Sequence, residues 1–157
     1  MASAKTKEFE IFIETQADTS ADNTSLDLTD YVDIADNEAF EIHEVDIVLD
    51  PNEAFPTADT ELLFQLADSN IQSFVSHADR TSLYVARQTY GFSAGLTMSE
   101  QTSFSTITPL IVSKTLWLRN ESSVGTYDCT LRIKGRIVKP SAKDYMALVL
   151  TQTGNVA

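Results

Sequence analysis

Three cations share one face of the clearest strand pattern in the chain. Arg132, Lys134 and Arg136 alternate with apolar residues within 127–138, and side chains two apart on a strand project from one face at a spacing of roughly 6.6–7 Å. This basic row suits an anionic partner, which is a nucleic acid, a lipid headgroup layer or an acidic protein surface. No aromatic residues alternate with the cations, so base stacking is unsupported and a protein surface fits best. The alternative is a solvated strand face whose cations discourage edge pairing.

The sequence also supplies an acidic partner for this row. Residues 1–61 contain 17 Asp or Glu against two Lys, a net charge of −15, whereas residues 62–157 contain 6 acids against 9 bases, a net charge of +3. Opposite poles on one subunit favour a head-to-tail contact between copies, the contact that builds rings and shells. The equally weighted alternative to a contact between copies is that the acids form a solvated surface. In the head-to-tail contact, the row meets a neighbour's acidic segment, which carries Asp27, Asp30, Asp33 and Asp36.

Other residues capable of chemistry are sparse. His43 and His77 are the only histidines, Cys129 is the only cysteine, and no G-x-S-x-G or cysteine-nucleophile signature occurs. We therefore predict structural roles for both histidines, a buried thiol and no enzymatic activity. The glycines are scattered and the acidic loops lack the calcium-loop pattern, so no cofactor and no metal site is predicted.

Length and composition indicate one folded domain. The 157 residues are 43% apolar and 22% charged, close to the globular average, which excludes collagen-like and disordered classes. A net charge of −12 disfavours direct contact with nucleic acid. Apolar runs are short and the N-terminus lacks an apolar signal core, so neither a transmembrane segment nor a signal peptide is predicted.

Alternation of apolar and polar residues dominates the chain and predicts an all-β protein. The apolar phase switches within 40–49, which predicts a bulge near His43 and Glu44, and Gly135 predicts a bulge or a close backbone approach. The predicted strands are 9–14, 40–49, 61–67, 81–90, 106–112, 114–119 and 127–138.

Two segments carry helical periodicity. One is 70–78, and the other follows Pro140, where Ser141 and Asp144 have the spacing of a capping box. Between the last two predicted strands, the polar segment 120–125 predicts a hairpin loop.

Loops of ten or more residues separate several strands, among them 15–30, 50–59 and 91–105. Connections of this length favour jelly-roll or Greek-key order over a meander. We predict a single jelly-roll-like antiparallel β-sandwich of about eight strands with one or two short helices, and extended termini at 1–8 and 151–157. Its core candidates are Phe9, Ile11, Ile13, Leu62, Phe64, Leu66, Leu116, Leu118, Leu131 and Ile133.

The C-terminal third has a recognisable order of features. A strand that carries Trp117 precedes a long last strand with basic outward residues, and a short capped helix with Tyr145 and Leu148 follows. This ending resembles that of the single jelly-roll capsid proteins of tailless icosahedral viruses of bacteria and archaea. The resemblance implies an eight-stranded sandwich that packs into capsomers and has no catalytic role. Many capsid proteins carry a basic N-terminal arm, whereas this N-terminus is acidic beyond Lys7.

These observations predict a structural, self-assembling subunit, a viral capsid or capsid-decorating protein that is located in the virion and soluble when unassembled. Its expected partners are other copies of itself and other capsid proteins. The alternative is a carbohydrate-binding or adhesin-like β-sandwich module, and a third class is an enzyme with a pair of acids. A sugar platform needs aromatic side chains presented together, and the single Trp117 is predicted inside a strand.

Overall fold

A computed structural model describes residues 3–51, 56–92, 95, 97–104, 110–111 and 114–153. In these ranges the chain forms ten β-strands, two single-turn 3-10 helices at Leu28–Asp30 and Ile34–Asp36, and one α-helix. The strands are β1 (Ser3–Ala4), β2 (Phe9–Ala17), β3 (Asp22–Asp27), β4 (Ala39–Leu49), β5 (Thr60–Ala67), β6 (Ser82–Gly91), β7 (Thr97–Phe104), β8 (Leu110–Ile111), β9 (Thr115–Ser122) and β10 (Tyr127–Lys139), and the helix is α1 (Ala142–Thr153).

The strands form two antiparallel sheets of five strands each. In sheet A, β10 lies between β4 and the N-terminal strands β1 and β2, and β8 lies outside β4; sheet B has the order β3-β9-β5-β6-β7. Strands β1 and β2 follow the same edge of β10, so they act as one interrupted strand. We count β1 and β2 as one strand, leave out β7, and number the remaining eight strands 1 to 8 in chain order. Sheet A then has the order 1-8-3-6 and sheet B the order 2-7-4-5, which is the jelly-roll arrangement. The predicted sandwich is confirmed, with ten strands rather than eight.

The core lies between the inner faces of the two sheets, where alternate apolar residues of both meet. Nine of the ten predicted core residues are buried, and the tenth, Phe9, is partly buried against the same cluster. Cys129 is fully buried, as predicted.

A bulge in β4 explains the switch of apolar phase in the sequence. Along the β4–β10 pairing, Lys134 lies opposite Glu44 but Gly135 lies opposite Ile42. His43 is therefore the extra residue, and the strand keeps its apolar side chains inside on both sides of the bulge. The predicted bulge near His43 and Glu44 is confirmed.

Two polar strands lie in segments predicted as loops. Strand β3 falls within 15–30 and β7 within 91–105. Both are sheet edges with few apolar residues, and seven of the eight residues of β7 are exposed, so neither sequence shows an apolar alternation. Of the predicted strand 106–112, Leu110–Ile111 forms β8, and 106–109 and 112 lie outside the described residues.

The predicted hairpin at 120–125 is wrong. Strand β9 belongs to sheet B and β10 to sheet A, so this connection crosses between the sheets instead of joining paired strands. A jelly roll requires a crossing of this kind between most consecutive strands, and a short polar loop in the sequence does not distinguish it from a hairpin.

The predicted helix at 70–78 is also wrong. That segment contains bends and turns but no helix. Side chains of neighbouring strands take the place of helical hydrogen bonds: Gln65 bonds both the N–H and the C=O of Val75, and Asn23 donates to the carbonyl of Ile71. The apolar residues therefore pack on sheet B in an irregular conformation.

The predicted C-terminal helix is confirmed as α1. The amide of Asp144 donates to the Ser141 hydroxyl at 3.2 Å, and the hydroxyl donates to the Asp144 carboxylate at 2.7 Å. Tyr145 packs against Ala39 and Val138 on the outer face of sheet A. The helix continues to Thr153, so residues 151–153 are helical rather than extended, and residues 3–4 form β1. Within the described part of the chain, no helix is long and apolar enough to cross a bilayer.

Candidate functional site

The basic row lies on the outer face of sheet A, and acidic residues flank it on both sides. Strand β10 is central, with β2 on one side and β4 on the other. The cross-strand neighbours of Lys134 are Glu10 and Glu44, and one neighbour of Arg132 is Asp46. We define the outer ladder as the charged residues Glu8, Glu10, Glu41, Glu44, Asp46, Arg132, Lys134 and Arg136.

Each cation of the row contacts a carboxylate of its own subunit. Arg132 donates to the two oxygens of Asp46 through Nε at 3.1 Å and Nη2 at 3.0 Å. Lys134 Nζ lies 3.2 Å from Glu8, and Arg136 Nε lies 2.9 Å from Glu41. The row is therefore part of a paired ladder on an exposed sheet face and is not an isolated basic patch.

Two apolar side chains interrupt the charged surface. Phe12, opposite Arg132, is 56% exposed, and Val48, opposite Thr130, is 54% exposed. They lie on opposite sides of β10. A contiguous exposed apolar patch rimmed by polar residues is typical of a contact surface, whereas these two side chains are separated by the width of β10.

His43 connects the two edges of the outer ladder. One ring nitrogen contacts Glu8 and the other, Nε2, lies 2.5 Å from Glu41. Hydrogen bonds to Glu41 and then Glu8 raise the pKa of His43 above its usual value. The bond to His43, followed by that to Lys134, lowers the pKa of Glu8. The bulge in β4 thus places an imidazolium between two carboxylates.

We expect this imidazolium to make stability depend on pH. Because the folded pKa of His43 is raised, its stabilisation is complete below the unfolded value of about 6.5 and is lost as pH rises through the folded value. His43→Gln should therefore cost about 0.5–1 kcal/mol near pH 6 and less near pH 9, measured by urea unfolding. His77→Gln is the control, since its ring nitrogens contact serine hydroxyls. A pH dependence unchanged by His43→Gln would contradict the assignment.

The predicted acidic segment does not act as one unit. Asp27 caps the first 3-10 helix by accepting from the Thr29 amide at 2.9 Å, and the Thr29 hydroxyl and amide lower the pKa of Asp27. Asp36 accepts from Lys139 at 2.6 Å and from Lys5 at 3.1 Å, and these bonds lower its pKa. Three of the four acids thus accept hydrogen bonds within the subunit, because Asp33 also accepts from the Ala35 amide at 3.0 Å. Lys139 ties the segment to the end of β10.

The other two acids border a surface groove. Asp30 and Asp33 are exposed, and together with Tyr31 and Lys114 they line a groove of about 470 Å³. Tyr31 is 44% exposed and stacks on Phe9 with ring centroids 6.1 Å apart. The structure therefore places Asp30 and Asp33 at the surface beside this groove, although the Asp33 carboxylate already accepts from the Ala35 amide.

Sequence reasoning missed a second group of carboxylates. A groove of about 660 Å³ at one end of the sandwich is lined by five acids, which are Glu14, Asp18, Asp22, Asp50 and Asp128. Glu14, Asp18 and Asp22 lie within one segment of nine residues, but Asp50 and Asp128 come from distant segments that only the strand order brings to it, so no spacing in the sequence indicates the whole group. Among the described residues, no set of three or more His, Cys, Asp or Glu is arranged to hold a metal ion.

The described residues also contain one serine and histidine pair. Ser103 Oγ lies 3.0 Å from His77 Nε2, and His77 Nδ1 lies 3.0 Å from Ser82 Oγ. A serine occupies the place where a catalytic triad has a carboxylate. The contacts join the 68–81 segment to β6 and β7, which agrees with the structural role predicted for this histidine. Nearby in sequence, burial raises the pKa of Asp68 to about 6.

The arrangement as a whole offers a large, regular surface and few reactive groups. The outer face of sheet A combines paired charges with Phe12 and Val48. Trp117 lies within β9, as predicted. Among the described residues, the exposed aromatic side chains are Phe12, Tyr31 and Phe92, which lie in separate parts of the chain. No protein-family model matches this chain, and no curated protein matches it.

Proposed function

We propose that this protein is a structural subunit that assembles with copies of itself, as a viral capsid or capsid-decorating protein does. The observation that supports the proposal most strongly is the outer face of sheet A, where Phe12 and Val48 are each more than half exposed within the outer ladder. The jelly-roll order is the architecture of many capsid subunits, but the same fold serves other functions too. The proposal therefore rests on the outer face of sheet A and not on the fold.

Apolar contacts supply the affinity in this proposal. Each cation of the row already has a carboxylate within its subunit, so meeting a neighbour exchanges one exposed pair for another, worth about 0–1 kcal/mol. Phe12 and Val48 are already about half buried, so covering the rest contributes about 1–1.5 kcal/mol for each side chain. Charge complementarity between the row and a neighbour's Asp30 and Asp33 then sets the register and orientation.

We expect Arg132→Glu with Arg136→Glu to weaken assembly while the sandwich stays folded. The double reversal places like charges against a neighbour's acidic segment, so the oligomer fraction measured by size exclusion with light scattering should fall, most strongly at low salt. Electron microscopy of the wild-type protein should show regular particles. Circular dichroism and thermal unfolding report whether the variant is folded.

The intramolecular pairs require a matched control. Arg132→Asp with Asp46→Arg keeps an ion pair within the subunit but exchanges the charges that a neighbour meets. If the row contacts a neighbour, this swap weakens assembly. Asp30→Lys with Asp33→Lys should partly restore the assembly of the variant with Arg132→Glu and Arg136→Glu. If the swap assembles like the wild type, the ladder is only an internal feature of sheet A.

The same measurements distinguish the alternative class. A strictly monomeric wild-type protein at high concentration, retained on a polysaccharide column, contradicts the structural proposal and favours a carbohydrate-binding module. Tyr31→Ala would then test the groove in which that aromatic side chain lies beside Asp30.

A further inference from the structure

Strand β7 is an open edge of sheet B. It pairs with β6 along all eight of its residues, from Gly91 opposite Thr97 to Tyr84 opposite Phe104. Among the described residues, no strand pairs with its other side. An edge of this kind presents a row of backbone donors and acceptors over about 27 Å, at about 3.4 Å per residue.

The other edges are protected and β7 is not. Proteins guard an edge with short strands, charged residues, proline or bulges. Strand β3 begins at Asp22 and ends at Asp27, and β2 carries Glu10 and Glu14 on its outer face. Strand β7 has a single charged residue, Glu100, no proline and a continuous register.

The core-side face of β7 is also exposed at the edge of the sandwich. In β6 the inward residues Gln88 and Tyr90 are buried, but their partners in β7, Glu100 and Met98, are exposed. Met98 is 57% exposed although it lies on the core side of the sheet. A strand added beside β7 would extend sheet B and bring further side chains next to this exposed core-side face.

We propose that β7 pairs antiparallel with β7 of a second copy, making one continuous sheet across a twofold axis. The proposal rests on the self-assembly proposed above and adds a second, isologous contact. We choose a second copy as the occupant because a twofold axis makes the edge complementary to itself, so that each backbone donor meets an acceptor. Two chains of net charge −12 can meet here because β7 contains a single charged residue, Glu100. With the axis at Gln101, this residue lies opposite its own copy, Glu100 lies opposite Thr102 and Ser99 lies opposite Ser103, so the two carboxylates do not oppose each other.

Complementary charges on β7 test the contact without disturbing the core. We compare two double variants, Ser99→Lys with Gln101→Lys, and Ser99→Glu with Gln101→Glu, since both positions are exposed on the outer face. Each variant alone should weaken the dimer at least about tenfold, because like charges meet across the axis, and an equimolar mixture should restore it. Size exclusion with light scattering over a range of concentrations measures this, and circular dichroism checks folding.

Matched charges at the opposite edge provide the control. Ser20→Lys with Ser25→Lys changes the net charge equally at exposed positions in and beside β3, and it should leave the dimer unchanged. If the lysine and glutamate variants dimerise as the wild type does, or the mixture stays monomeric, β7 is not the contact. That failure is separate from failure of the proposed function, which the salt-sensitive variants of Arg132 and Arg136 report.

Discussion

Replacing Gly135 with alanine is expected to destabilise the protein by about 3 kcal/mol, more than any other single change proposed for it. A Cβ at this position would lie 2.2 Å from the carbonyl oxygen of Glu41 and 2.8 Å from Cζ of Phe40. The first is a backbone atom in the adjacent strand, so it cannot move away without breaking the β4–β10 pairing beside the bulge. Overpacking of a rigid core costs about 1–3 kcal/mol or more.

Gly91→Ala is the matched control for this prediction. A Cβ there would lie 2.6 Å from the hydroxyl oxygen of Thr97, an exposed side chain that can rotate, so the loss should stay below about 1 kcal/mol. Urea unfolding monitored by circular dichroism measures both variants. Equal losses in the two variants would show that the approach of β4 to Gly135 is not tight.

This part of the fold could be predicted because its signals are local. The phase switch in β4 lies within four residues of His43, and a glycine within a strong strand pattern indicates a close approach without knowledge of the partner. Alternation likewise predicted the buried core positions, because a strand that faces a core on one side must place its apolar residues at every second position.

The candidate site could be predicted only in part, because its partners are distant in sequence. The acids of β2 and β4 and the bases of β10 differ in sequence position by about 90 residues or more. Because the acids are concentrated in the N-terminal part of the chain and the bases in the C-terminal part, the sequence shows the charge asymmetry that predicted a contact between copies. The jelly-roll order places β10 between those two strands, so folding itself brings the opposite charges together. Composition records such an asymmetry but does not say whether its partners belong to one subunit or two.

The segment 68–81 shows how tertiary contacts override local periodicity. Gln65, which is 1% exposed, donates to the carbonyl of Val75 at 3.0 Å and accepts from its amide at 2.9 Å. Its amide nitrogen also donates to Ser82 Oγ at 2.9 Å. Phe74, held beside Val75, lies 5.5 Å below the guanidinium of Arg119. A buried glutamine therefore satisfies the backbone that a helix would have satisfied internally.

Gln65→Leu is accordingly expected to lower the free energy of unfolding by about 2 kcal/mol, because the leucine leaves the Val75 backbone groups and the Ser82 hydroxyl without this partner. The loss should be local as well as global, so amide hydrogen exchange in 70–78 should accelerate more than in β5 and β6. Gln88→Leu is the control, since Gln88 is also buried but donates to Ile47 between the sheets. Equal exchange rates in 70–78 for the two variants would contradict the role assigned to Gln65.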